Sequence, residues 1–177
     1  MNFFELYNMP VTLNPDKAYV TQKYYELSRQ YHPDFFSGAS PERQAEVLRV
    51  SSDVNRAYKT FTDRDATIRY VLQTKELLED EEKYVLDPEF LMEVLDINES
   101  LMDLDEQDAM AVENIKTKVD ELEREIYKPV QGIIEGYGEG VTSTEELLQV
   151  KDYYYKKKYL HRILDKIGGM RNIAARD

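Results

Sequence analysis

Cysteine is absent from the 177-residue chain, and histidine occurs only at positions 32 and 161. The first absence excludes disulfides and thiolate metal sites. The second would leave a metal to carboxylates arranged around a lone imidazole, and no such spacing occurs. No stretch of about 18 apolar residues is present to span a bilayer. The opening Met1-Asn2-Phe3-Phe4-Glu5 has neither the basic start of a secretory signal nor the Arg-rich, acid-poor character of a transit peptide, so a cytoplasmic location is expected. Glycine-rich phosphate loops and activated nucleophiles are missing too, and the plentiful carboxylates fall on amphipathic helical patterns. A protein that is not an enzyme, with no cofactor and no metal, is the expectation.

What is present suits a globular chain, with 42% hydrophobic and 33% charged residues. Its charge is uneven. Through Lys75 there are ten Lys and Arg against nine Asp and Glu, whereas the remainder has 13 against 26, a local balance of −13 in a chain of net charge −12. The near-neutral first part, with local basic residues, suits docking on an acidic protein surface. The acidic second part repels phosphate backbones and favours a basic protein partner.

The most informative motif is His32-Pro33-Asp34, placed between two amphipathic helical patterns. The first pattern begins at Asn14-Pro15, a cap followed by a residue preorganised for the first turn, and places Val20, Tyr24, Leu27 and Tyr31 on one face. Pro33 drives His32 towards an extended conformation and donates no backbone bond, so the chain turns there. Ser37-Gly38-Ala39-Ser40 prolongs the loop. The second pattern starts at Ser40-Pro41 and carries Val47, Val50, Val54, Ala57, Tyr58 and Phe61. Two antiparallel helices thus present the tripeptide at their tip. Beside Pro, a lone His is ordinarily a turn residue, and it is the flanking helices that favour function here.

The segment from Asn2 to about Lys75 resembles a J-domain: Phe3-Phe4-Glu5-Leu6, then Arg29-Gln30-Tyr31-His32-Pro33-Asp34, then Asn55-Arg56-Ala57-Tyr58-Lys59-Thr60-Phe61. The resemblance implies that His32, Pro33 and Asp34 engage a DnaK-type chaperone and trigger its ATP hydrolysis, with Lys23 and Arg29 on the basic face of the preceding helix. Solvated charges on a helix are usual, which weakens the assignment of those two. Phe35 departs from the pattern, standing where many J-domains have Lys or Arg.

Beyond it, Ile68, Val71 and Leu72 form a short amphipathic stretch, and residues 76–87, with Glu79-Asp80-Glu81-Glu82, read as a solvated linker. The expected division is 1–75, linker 76–87, and a helical domain over 88–177. That domain opens at Asp87-Pro88 with a helix carrying three stripes. Phe90, Val94, Ile97, Leu101 and Leu104 form one. Leu91, Leu95 and Met102 form a second, rotated by roughly 100°. Met92, Asp96, Glu99 and Asp103 form a third, mostly acidic. One stripe is enough to attach the helix to a bundle. The second is either a binding surface bordered by acid or a wider core contact, and spacing alone leaves both open.

Two further helices are expected. One runs through Val112, Ile115, Val119, Leu122 and Ile126, past Pro129, to Tyr137. The other opens at Ser143-Thr144-Glu145-Glu146, a capping box, and ends at Gly168-Gly169. The fold expected is all-α: a J-domain helical hairpin followed by an antiparallel, coiled-coil-like three-helix bundle.

Asp87-Pro88-Glu89-Phe90-Leu91-Met92-Glu93-Val94-Leu95 resembles the start of the C-terminal domain of the HscB family, J-type co-chaperones of iron–sulfur cluster assembly. The resemblance implies that Leu91, Met92, Leu95, Asp96, Glu99, Asp103 and Tyr159 bind an IscU-type scaffold protein, which is delivered to an HscA or DnaK-type chaperone. Asp stands at two of these positions where Glu is usual, and Tyr159 where Phe is more usual. Two alternatives remain: a J-domain protein with another client, and an RNA-binding adaptor built on Tyr153-Tyr154-Tyr155-Lys156-Lys157-Lys158-Tyr159, whose aromatics and lysines suit single-stranded nucleic acid. The acidic surroundings favour core-facing tyrosines and solvated lysines instead, so neither nucleic acid nor membrane is expected as a partner.

Overall fold

The computed structural model describes residues 2–105 and 107–174, with side chains up to Gly168. Among them the regular structure is entirely helical, as the sequence predicts: α1 (Phe3–Leu6), α2 (Lys17–Gln30), a 3-10 turn (Pro33–Phe36), α3 (Pro41–Thr62), α4 (Arg64–Thr74), α5 (Pro88–Met102), α6 (Ala109–Glu135) and α7 (Thr144–Ala174). The chain divides into two compact units. One holds residues 1–78 with 134–143, and the other holds 79–133 with the chain from 144 onward.

In the first unit, α2 and α3 form the hairpin, joined through Tyr24 and Tyr58, whose rings stack 4.3 Å apart. Phe61 of α3 is the hub of an aromatic cluster, 4.8 Å from Phe4 and 5.4 Å from Tyr7. Fully buried Tyr7 donates its hydroxyl hydrogen to the Val54 carbonyl at 2.8 Å, tying α1 to α3. Ile68, Val71 and Leu72 of α4 are wholly inside. Buried Thr67 donates to the carbonyls of Thr60 and Asp63, so its hydroxyl carries no desolvation penalty.

In the second unit, Phe90, Val94, Ile97 and Leu101 of α5 meet Val112, Ile115, Val119 and Leu122 of α6 and Leu160, Ile163 and Ile167 of α7 in one core. Contacts along the helices give their directions. Tyr127 is 5.7 Å from Tyr153 while Glu123 reaches His161 at 3.5 Å, so α6 and α7 run antiparallel. Asp87 faces Lys156, and Asn98 faces Tyr159, so α5 runs along α7. Residues 82–84, expected to be solvated, are held to α7: Glu82 pairs with Lys151 at 2.6 Å, and Tyr84 stacks on Tyr155 at 4.4 Å.

Three expected boundaries shift. Helix α2 starts at Lys17 rather than beside Asn14, because Asp16 supplies the cap, accepting from the Tyr19 amide at 2.8 Å, while Leu13 is fully buried ahead of it. Tyr137 lies outside α6, in a turn where Gly140 takes φ +76° and the Gly138 amide donates to Thr142. Gly168-Gly169 does not end α7, which runs on to Ala174. A helical glycine costs only about 1 kcal/mol relative to alanine, too little to stop a helix anchored by buried Ile167.

Burial raises the Tyr7 hydroxyl above its ordinary range, helped by neighbouring Tyr24 and Tyr58. Burial does the same to Tyr84, helped by its hydrogen bond to Asp152. The unfolded chain therefore loses these protons first, and stability should fall as pH rises above about 10. Urea titrations across that range should show a shallower decline for Tyr7→Phe and Tyr84→Phe, with Tyr7→Phe also about 1 kcal/mol less stable at neutral pH.

Candidate functional site

His32 caps the 3-10 turn in an extended conformation, φ −72° and ψ 124°, as a residue before proline must. Its Nδ1 accepts the Asp34 amide at 3.3 Å and lies 3.6 Å from the Asp34 carboxylate. With Nδ1 accepting, the neutral ring carries its hydrogen on Nε2. The Asp34 side chain is 85% exposed. Pro33 is also exposed, so all three residues of the motif are offered to solvent.

Arg29 joins His32 and Asp34 around a cavity of about 350 Å³, shared with Tyr25, Ser28 and Phe35. Lys23 does not join them. It is hydrogen-bonded to Glu26 at 2.7 Å, a bond that raises the lysine pKa and lowers that of the glutamate, so its charge is largely answered within α2. Tyr25 and Phe35 are members of this surface that helical periodicity did not single out. Both are exposed, and the Phe35 ring lies 5.7 Å from that of His32. A signal existed for Tyr25: one position on from core-facing Tyr24, its side chain must point about 100° away.

The second surface is on α5, whose first stripe fills the bundle core. Leu91, Leu95 and Met102 are 42%, 47% and 87% exposed, and Met92 is 68% exposed. Asp96, Glu99 and Asp103 are exposed beside them. The second stripe therefore does not widen the core contact. An apolar strip with an acidic border is left facing solvent, outside the usual scatter of single exposed hydrophobics.

Tyr159 of α7 is half-buried at the edge of this face. Its hydroxyl accepts from Asn98 at 3.4 Å, and its ring meets Phe90 edge-on at 6.2 Å. Asn98 continues the Leu91, Leu95, Met102 stripe, so the hydrogen bond attaches the tyrosine to it. Periodicity of apolar residues could not find Asn98, because it is polar. The rest of the tyrosine-rich segment is used inside the unit: Tyr153 is buried, Lys156 lies 2.8 Å from Asp152, and Lys157 lies 3.6 Å from Glu123. Among the described residues no group of His, Asp or Glu side chains could hold a metal ion, and no helix is long and apolar enough to cross a membrane.

Residues 86–168 match the family model described as the HSCB C-terminal oligomerisation domain. Over 94% of its length the chain is 30% identical to a co-chaperone protein HscB homolog of Acinetobacter baumannii, of which it covers 88%. It is 34% identical to the co-chaperone protein HscB of Proteus mirabilis over 59% of this chain and 61% of that one. The fold matches the crystal structure of human co-chaperone protein HscB with a TM-score of 0.79 at 26% identity, covering 97% of this chain and 82% of that one. It matches the fold of chaperone HscB from Vibrio cholerae with a TM-score of 0.75 at 23% identity, covering 98% and 99%. The relatives place the chain among the co-chaperones. It belongs to the HscB family.

The two sides of α5 should respond differently to truncation. Ile97→Ala is expected to cost about 2–5 kcal/mol, because it opens a cavity in the core. The double change Leu91→Ala, Leu95→Ala should cost less than about 1 kcal/mol, because both side chains lie outside the buried core cluster and are already partly solvated. Chemical denaturation of the three proteins distinguishes these outcomes, and equal losses would mean that the exposed stripe is structural.

Proposed function

We propose that the protein is an adaptor that captures an IscU-type iron–sulfur scaffold on α5 and delivers it to an HscA or DnaK-type chaperone, whose ATP hydrolysis it triggers. Residues 1–75 act as a J-domain and residues 88–177 as the scaffold-binding domain. The observation that carries this reading is the coexistence, in a chain of the HscB family, of an exposed His32-Pro33-Asp34 tip and an exposed apolar and acidic face on α5.

The chain performs no bond chemistry in this scheme. His32 and Asp34 are preorganised by the hydrogen bond between them and by the rigid proline, so little conformational freedom is lost when the tip docks on the chaperone. Arg29 supplies a positive charge beside the tip for an acidic chaperone surface. Hydrolysis then tightens the chaperone's grip on the delivered scaffold.

On α5, Leu91, Met92 and Leu95 provide the apolar contact, Tyr159 its edge, and Asp96, Glu99 and Asp103 the acidic border for a basic face on the scaffold. Burying an aliphatic side chain fully gains roughly 1.5–3 kcal/mol, and lost rotational freedom and side-chain ordering offset much of the total. Affinity in the micromolar range follows, which suits a protein that must release its client.

The test is the steady-state ATPase rate of the chaperone with this protein, with and without scaffold. Synergistic stimulation is expected, abolished by Asp34→Asn. Leu91→Ala with Leu95→Ala should remove scaffold binding and the synergy while preserving stimulation by the adaptor alone. Stimulation indifferent to scaffold would leave a J-domain protein with a different client. Phe35→Lys should make the stimulation more sensitive to salt, because it adds a charge beside the tip.

A further inference from the structure

Five cations along the middle of α7, from Lys151 to Arg162, fall into two groups. Lys151, Lys156 and Lys157 each lie within 4 Å of a carboxylate. Lys158 and Arg162 have no carboxylate partner among the described residues, and neither has Lys83 from the segment ahead of α5. These three charges border a single cavity of about 320 Å³ whose walls include Tyr84, Tyr155 and Tyr159.

The cavity has the chemistry of an anion site. Glu82 is the one carboxylate in its lining, and it is already committed to Lys151 at 2.6 Å and to the Tyr155 hydroxyl at 3.3 Å. Tyr84 donates to Asp152 at 2.9 Å and stacks flat on Tyr155, which fixes that wall. Tyr159 is different: its hydroxyl accepts from Asn98, and its own hydrogen meets no acceptor among the described residues. Three positive charges and one available O–H donor thus border a space whose single carboxylate is already engaged by Lys151 and Tyr155.

Two observations choose the ligand. The surrounding part of the chain carries a balance of −13, which repels an extended polyanion but tolerates one carboxylate carried by an otherwise basic or neutral partner. The Asn98–Tyr159 hydrogen bond makes the cavity adjoin the exposed Leu91 and Leu95 stripe, so one partner can reach both. We infer that Lys83, Lys158 and Arg162 form, with Tyr159, a carboxylate-binding subsite that takes an Asp or Glu side chain of the same protein that docks on α5. The subsite rests on the scaffold-binding reading of that face. It makes recognition bipolar: a basic or apolar patch of the partner on α5 and an acidic side chain beyond Tyr159.

Calorimetric titration of the full chain with an IscU-type scaffold, at low and high salt, tests this. Lys158→Ala with Arg162→Ala should weaken binding roughly tenfold at low salt and much less at high salt, where an exposed charge pair is screened. Lys158→Arg should retain wild-type affinity, and unchanged thermal unfolding is expected because both side chains are exposed. Wild-type binding that the double variant keeps at low salt would overturn the subsite alone. Failure of the wild-type chain to bind scaffold would overturn the reading of α5 and the subsite with it. A single-stranded RNA oligomer that binds the wild-type chain but not the double variant, with scaffold affinity unchanged, would assign the cations to phosphate and also overturn the proposal.

Discussion

Phe90, Val94, Ile97 and Leu101 must leave water together, and in the second unit they do so only by entering the seam between α6 and α7. That burial sets the rotation of α5 about its own axis. Once it is set, the residues one position further along each turn are carried about 100° around the helix, out of the core. Leu91 and Leu95 are therefore exposed not because water suits them but because their neighbours hold the buried positions. The energy that folds the bundle keeps an apolar surface exposed to solvent, with acidic residues on its border.

The hairpin of the first unit follows the same logic with a different device. Its core is built from aromatic rings around Phe61, and Tyr7 and Thr67 have their hydroxyls satisfied by backbone carbonyls. None of that machinery reaches the tip. There the structure is decided locally, by a proline that cannot continue a helix and by a histidine whose ring nitrogen caps the next turn. A rigid tip on a well-packed hairpin presents three exposed residues without those residues contributing much to stability.

Charge organisation separates the two surfaces further. Lys23 is answered by Glu26 within α2, which leaves Arg29 as the cation beside the tip. On α7, Lys151, Lys156 and Lys157 are paired with carboxylates, and Lys158 and Arg162 lie on the side of Tyr159. A half of the chain that is acidic by composition therefore holds a local positive region, a distinction that net charge averages away.

Much of this was legible in the order of residues. The helical class, the Ser40-Pro41 and Asp87-Pro88 helix starts, the break at Pro33 and the core stripe of α5, apart from Leu104, which lies beyond the end of the helix, all depend on interactions within a few turns, which sequence records directly. What sequence could not settle was whether Leu91 and Leu95 faced core or water, because a helical pattern shows which residues share a face but not how many faces are covered. Nor could it show that Asn98 joins Tyr159, that Lys23 is neutralised while Arg29 is not, or that Tyr84 packs on Tyr155 across 71 positions. Local periodicity and the geometry of proline belong to the chain by itself. Exposure, pairing of charges and the assembly of a site from separate helices are decided only when the helices choose their neighbours, because each depends on what lies across the contact.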